Sequence, residues 1–152
     1  MEAFRLSRAA YATPLSGKGA ALKGARWNSI GVEVIYAASN RALAMAEVAV
    51  HFTLATLPLD YRMITIFIPE DVSLKKLSRS DLPDDWNVFP HPVSTQQIGD
   101  RFIAEGRHCI LQVPSAVVKG DYNVVINPKH PEFESIKIIA EEKFPFDKRI
   151  FK

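Results

Sequence analysis

The sequence predicts an α+β fold, with mixed and antiparallel sheet flanked by helices, in one domain spanning residues 1–152. Three observations lead there. β-rich runs outnumber helical ones. The two kinds do not alternate strictly, which argues against a doubly wound parallel sheet. The 152 residues are 47% hydrophobic and 24% charged, which suits one globular core without disulfides.

The elements follow in chain order. "GARWNSIG" (24–31) has glycine at both ends and reads as a turn-bounded strand. Alternation along it sends Arg26 to one face and Trp27 to the opposite, core-facing one. "VEVIYAA" (Val32–Ala38) is apolar and β-branched, and "NSIG" before it is turn chemistry. "SNRALAMAEVAVHF" (Ser39–Phe52) reads as a helix capped by Ser39 and rich in Ala, Leu and Met. It has no polar face, so it is expected to be buried all round. "MITIFIP" (Met63–Pro69) is a strand closed by proline, and the polar stretch 70–92, centred on "DLPDDW", is a surface excursion. "STQQIGDRFIAEG" (Ser94–Gly106) is a second helix. Ser94 and Gln97 have capping-box spacing, Ile98 and Phe102 share a face, and Gly106 ends it. Strands follow at His108–Pro114, Asn123–Pro128 and Ser135–Glu142.

Several function classes drop out. The 19 basic and 17 acidic residues leave a net charge of +2, too little to argue for nucleic acid by itself. The charge is uneven, since no acidic residue lies between Glu2 and Glu33, while Arg5, Arg8, Lys18, Lys23 and Arg26 do. A transit-peptide reading of that window yields to the structured sequence it runs into. Cys109 is the only cysteine, which suits a reducing cytoplasm and a small core residue. No apolar run reaches membrane-span length. "SGKGAALKG" fails as a phosphate loop, because Gly19 follows Lys18 and Leu22 stands where a third glycine belongs. The four histidines show no HExxH and no close helical pair, so no metal is expected. His108 and Cys109 are strand neighbours facing opposite ways, and form no dyad.

Four residues remain. Glu47 sits in the middle of the apolar helix, where a carboxylate must pair or stay protonated. It is either a site carboxylate or a glutamate that reaches the surface or bridges to a structural arginine. Tyr36, Arg26 and Ser115 each have an ordinary reading, as core tyrosine, surface charge and turn hydroxyl. Jointly they suit one chemistry, a nicotinamide dinucleotide. An arginine fork binds the pyrophosphate, and a tyrosine face suits the flat pyridinium. A carboxylate stabilises the oxocarbenium-like sugar left when nicotinamide departs. Nicotinamide leaves neutral, so one carboxylate suffices.

These residues also carry a family likeness. "LSGKGAALKGARWNSIGVEVIYAASNRALAMAEVAVHF" resembles the opening of the RES domain, the toxin of bacterial RES–Xre toxin–antitoxin pairs. "VPSAVVKGDYNVVINPKHPEF" and "PFDKRIF" resemble its second half. The resemblance implies a fold like that of ADP-ribosyltransferases and NAD+ as substrate, with no metal. It implies a site of Arg26, Tyr36, Glu47 and Ser115, with Arg5 of "FRLS" and Asn127 of "INPKHP" as further cofactor-binding positions. It implies a cytoplasmic toxin held by an Xre-type helix-turn-helix antitoxin that occludes the active site. DNA is met only through that antitoxin, no membrane is involved, and a homodimer within the complex is one candidate assembly. The chain departs from the family pattern at Ala25, where a second glycine is usual, at Phe102 for Trp and at Asp121 for Glu. Three functions follow in order. The first is cleavage of the nicotinamide–ribose bond by water or phosphate, arresting growth. The second is transfer of an ADP-ribosyl or phosphoribosyl group to a protein. The third is a basic-faced nucleic-acid-binding module.

Overall fold

The computed structural model describes residues 1–151. One of its interior strands comes from the basic N-terminal window. β1 (Glu2–Arg8) pairs along its whole length with β3 (Tyr61–Phe67), from Glu2↔Phe67 to Arg8↔Tyr61. The other strands are β2 (Ile35–Ala38), β4 (Leu74–Lys76), β5 (Ile110–Pro114), β6 (Tyr122–Ile126) and β7 (Lys137–Lys143). They make one seven-stranded sheet in the order β4-β5-β6-β2-β1-β3-β7. Only β4–β5 is parallel, and the other neighbours are antiparallel. Helices α1 (Lys18–Lys23), α2 (Arg41–Ala49) and α3 (Val93–Glu105) complete an α+β architecture. No helix among the described residues is long and apolar enough to cross a membrane.

Strand alternation gives the sheet two apolar faces. One carries Phe4, Leu6, Ala38 and Met63, packed with Leu43 and Ala44 of α2. It continues through Tyr36, Leu111, Val113 and Val125 to Trp27 and Phe102 of α3. The opposite face carries Ala3, Ile35, Ala37, Ile64, Ile66, Ile110, Val124 and Ile126. Ala12, Ile68, Val72 and Ile136, from flanking segments, close over it. Cys109 lies fully buried in this second layer, as its lone occurrence suggested.

The structure corrects several details. "GARWN" is a turn and not a strand. α2 is capped by Asn40, whose Oδ1 accepts the Leu43 amide at 2.8 Å, one residue later than the Ser39 expected. It is half-buried and not enclosed: Leu43 and Ala44 are buried, while Arg41, Ala42 and Val50 meet solvent. Alanine side chains are too small to demand burial on every side. α3 begins after Pro92, with no side-chain cap, so the Ser94–Gln97 capping box does not form. Proline supplies an extended φ and ψ there (−78° and 157°) that starts the helix without one. Gly106 ends it with φ of 59°, as a left-handed C-cap should. The stretch 70–92 contributes strand β4 at the sheet edge, paired Leu74↔Ile110 to Lys76↔Gln112. Edge pairing needs only one face and one side, so its short polar sequence gives little sign of it.

Candidate active site

The site starts from the turn at Arg26. Ala25 and Asn28 exchange main-chain hydrogen bonds, 3.0 Å from the Ala25 amide and 3.4 Å from that of Asn28. Arg26 and Trp27 are left at the tip. Trp27 is buried against Val34, Phe102 and Leu111, and Arg26 is half-buried. α3 holds the turn from behind. Gln96 Nε2 donates to Ala25 O and Asn28 O at 3.1 and 3.2 Å. Asp100 accepts from Ser29 N and Oγ at 2.9 and 2.5 Å. Gly99 lies so close to the Trp27 carbonyl that a Cβ would stand 1.6 Å from its oxygen. Inside the turn, the fully buried Asn28 donates to Ala20 O and Val32 O, both at 2.9 Å.

Tyr36 locks this turn to β2. Its hydroxyl donates to Asn28 Oδ1 at 2.6 Å and accepts the Trp27 amide at 3.1 Å. Burial pushes the phenol well above its ordinary pKa, so it stays neutral. The hydroxyl is therefore committed to structure, and the part-exposed ring is what remains for a ligand.

Arg26 is tied on its outer side. Nη1 donates to Trp86 O at 2.7 Å and Val88 O at 2.9 Å, which fastens the "DLPDDWNV" segment over the turn. Desolvation lowers the pKa of its guanidinium, while the charge of Glu47 and then Tyr36 act the other way. Both of these bonds are made by Nη1 alone. Arginine has five N–H donors, enough to hold two carbonyls and still meet an anion.

Glu47 stands on α2 about two turns past the Asn40 cap. Ser115 Oγ, just after β5, donates to its Oε1 at 2.7 Å, and Asn123 Nδ2, on β6, donates to the same oxygen at 2.6 Å. Ser115 Oγ itself accepts the amides of Val117 and Val118 at 3.1 and 3.0 Å. Asp121 supports the loop between, with its carbonyl on Ser115 N at 2.9 Å and its carboxylate 3.3 Å from Asn40 Nδ2. Of the six residues read from the sequence, the structure thus joins Glu47 directly to Ser115. It links Tyr36 to the Arg26 turn, and brings Arg26 within the field of Glu47.

The other two lie apart. Arg5 stands between Phe4 and Leu6, which face α2, so its side chain leaves the opposite side of β1. No hydrogen bond or ion pair among the described residues joins it to Glu47, and burial alone lowers its pKa. Asn127 follows the far end of β6, where its Oδ1 accepts the Lys129 amide at 3.0 Å in a local turn. Near it, ligand atoms of Cys109, His130 and Glu132 lie within 4.8 Å of one another, a cluster that the spacing of the histidines did not reveal. Its groups are already engaged. Glu132 accepts from Ser73 N and Oγ at 2.9 and 2.5 Å, and His130 Nδ1 accepts the Glu132 amide at 3.2 Å. Burial pushes the Cys109 thiol up to about 12. The residues missed in the sequence are Asn28, Gln96, Gly99, Asp100 and Asn123. Only Gly99 gave a signal, since a lone glycine inside a helix commonly marks a close approach.

A family model described as the RES domain matches residues 2–147, nearly the whole chain. The chain belongs to the RES family. It is 36% identical over 148 residues to a Sphingobium protein named "Prs ADP-ribosylating toxin", covering 96% of this chain and 92% of that one. It is 35% identical over 151 residues to "Toxin Res" of Photorhabdus laumondii, covering 98% and 96%. By this full-length correspondence it is a RES toxin. Its fold is also that of a chain in the M. tuberculosis MbcT-MbcA toxin-antitoxin complex. That match has a TM-score of 0.77 at 22% identity and covers 95% of this chain and 84% of that one.

Proposed function

We propose that this RES toxin consumes NAD+ by breaking the bond between nicotinamide and ribose. One observation carries the reading: Glu47 has one oxygen fixed by Ser115 and Asn123 and lies in the field of Arg26. Arg26 takes the pyrophosphate with the nitrogens left by the Trp86 and Val88 carbonyls. The Tyr36 ring flanks the nicotinamide. As the C–N bond breaks, its electron pair leaves with nicotinamide, which departs neutral, and the sugar becomes cationic. The Glu47 carboxylate stabilises that cation. Water or phosphate then adds to the sugar carbon, giving ADP-ribose or its 1-phosphate.

Glu47→Gln keeps the shape and both hydrogen bonds to Oε1 but removes the charge. NAD+ turnover is expected to fall about a hundredfold or more, as for losing one transition-state stabiliser, with NAD+ still bound. Unchanged turnover sinks the assignment. The acceptor is read by incubating purified protein with NAD+ and identifying the products by mass. A second reading, transfer of the ribosyl group onto a protein, is favoured by the 36% identity to a relative named as ADP-ribosylating. A labelled protein band in a lysate with radiolabelled NAD+ selects it.

The same site suggests its control. The partner proposed is an Xre-type antitoxin, with a carboxylate from its tail occupying the Arg26 fork in place of NAD+. Titrating NAD+ against the preformed complex tests this. Equal NAD+ affinity in free and bound toxin rules occlusion out.

A further inference from the structure

Glu47 is held at one oxygen only. Both of its hydrogen bonds end on Oε1, and among the described residues none ends on Oε2. The two donors are unlike. Ser115 sits on the 115–121 loop, outside the sheet. Its oxygen has two lone pairs and one proton. The amides of Val117 and Val118 take the lone pairs, so the proton is left for Glu47. Asn123 instead belongs to β6, a strand paired on both sides, opposite Ala38 of β2 and Val113 of β5. Its backbone is fixed by both ladders, and its short side chain has few rotamers to choose among.

A glutamate carboxylate turns easily about its last bond, whose torsional wells are broad. One donor from a loop leaves that rotation open. A second donor, from a different direction and a rigid strand, closes it. With Oε1 taken twice by donors, Oε1 carries no proton, and the plane of the carboxylate is set. Oε2 is then the oxygen that no donor among the described residues holds. We propose that Asn123 is a positioning residue, whose Nδ2 locks Glu47 Oε1 so that Oε2 is the atom presented to the reacting sugar. This rests on the reading of Glu47 as the reacting carboxylate. Asn123 touches Glu47 and acts through it. An aspartate at 123 would set two carboxylates against each other, and a glutamine would carry its amide a further carbon on, past Oε1.

The test reads rate, affinity and the bond itself. In Asn123→Ala, kcat for NAD+ loss is expected to fall about ten- to hundredfold, as for a reacting group held about 1 Å out of place. KM stays within about threefold, since ground-state contacts are unchanged. In a Glu47→Gln background the further change Asn123→Ala alters kcat by less than about twofold, because the path through Glu47 is already gone. Independently of any turnover, the Asn123 side-chain amide proton is expected downfield in the NMR spectrum of the wild-type protein. It moves upfield in Glu47→Gln, where the acceptor has lost its charge. Three results overturn the proposal: an amide resonance indifferent to Glu47→Gln, a wild-type kcat in Asn123→Ala, or a raised KM at constant kcat. Failure of the reaction reading looks different, because Glu47→Gln then turns NAD+ over at the wild-type rate.

Discussion

Replacing Gly99 by alanine tests how the Arg26 turn is held. The added Cβ stands 1.6 Å from Trp27 O, 2.6 Å from Trp27 C and 3.2 Å from Trp27 Cα, and real Cβ contacts stay beyond 3.0 Å. The two surfaces must therefore part by at least 3.0 − 1.6 = 1.4 Å. Backbone meets backbone, so no rotamer relieves the clash. That opening stretches the Gln96 bonds from 3.1 and 3.2 Å, and the Asp100 bonds from 2.9 and 2.5 Å, past useful length or close to it. Each such bond contributes about 0.5–1.5 kcal/mol net, so the four together lose about 2–6 kcal/mol. For a chain of this size that lowers Tm by about 5–20 °C. Arg26 moves with the turn, and a misplacement of about 1 Å costs about a hundredfold in rate. The assay is a thermal melt followed by NAD+ loss at a temperature where the variant is folded. Gly19→Ala is the control, because nothing lies within 4 Å of its Cβ position. Wild-type melting and turnover in Gly99→Ala refute the clamp of α3 on the turn.

Tyr36→Phe removes two bonds at once, leaving the Trp27 amide and Asn28 Oδ1 unpaired. The cost is about 1–3 kcal/mol per buried group, so Tm drops while turnover measured below it survives on the ring. An unshifted Tm counts against the hydroxyl as a structural lock. Arg26→Lys removes the guanidinium nitrogens other than the Nη1 that holds Trp86 O and Val88 O, and NAD+ affinity measured by calorimetry falls about tenfold or more. Full affinity in that variant reduces Arg26 to a surface charge. Hydrogen bonds from Ser73 hold the Glu132 carboxyl below its ordinary pKa of 4.5. A depressed folded pKa contributes stability above the unfolded value, and that contribution is lost as pH falls through the folded one. The Tm gap between wild type and Glu132→Gln is thus expected to shrink from pH 7 to pH 3, and a constant gap contradicts the role given to Ser73.

Much of the fold was legible where apolar periodicity was strong. The strands at Ile35–Ala38, Tyr61–Phe67 and Ile110–Pro114, and the helix ended by Gly106, lie within a few residues of where pattern put them. β1 gave no such sign. Its charged ends and central Arg5 hide a strand that is buried only because β2 and β3 flank it. β4 was hidden for the opposite reason, as a short edge segment with almost no apolar face. Within the site, Glu47 could be singled out because a carboxylate inside an apolar helix needs a partner. Nothing in the sequence named that partner.

The sequence by itself determined the residue chemistry: one carboxylate in an apolar setting, an arginine beside a tryptophan between glycines, and a full-length family likeness. Local propensity and composition suffice for these, since they depend on neighbours along the chain. The tertiary structure alone decided which groups meet. Asn123 is 76 residues from Glu47, and Gln96 is 71 from the Ala25 carbonyl it holds. Such pairings are set by sheet order and helix packing. The same packing directs Arg5 and Asn127 away from the cluster, although their motifs run beside those of the site. Hydrogen bonds act over about 3 Å in space, and sequence spacing measures that distance only within a single helix, strand or turn.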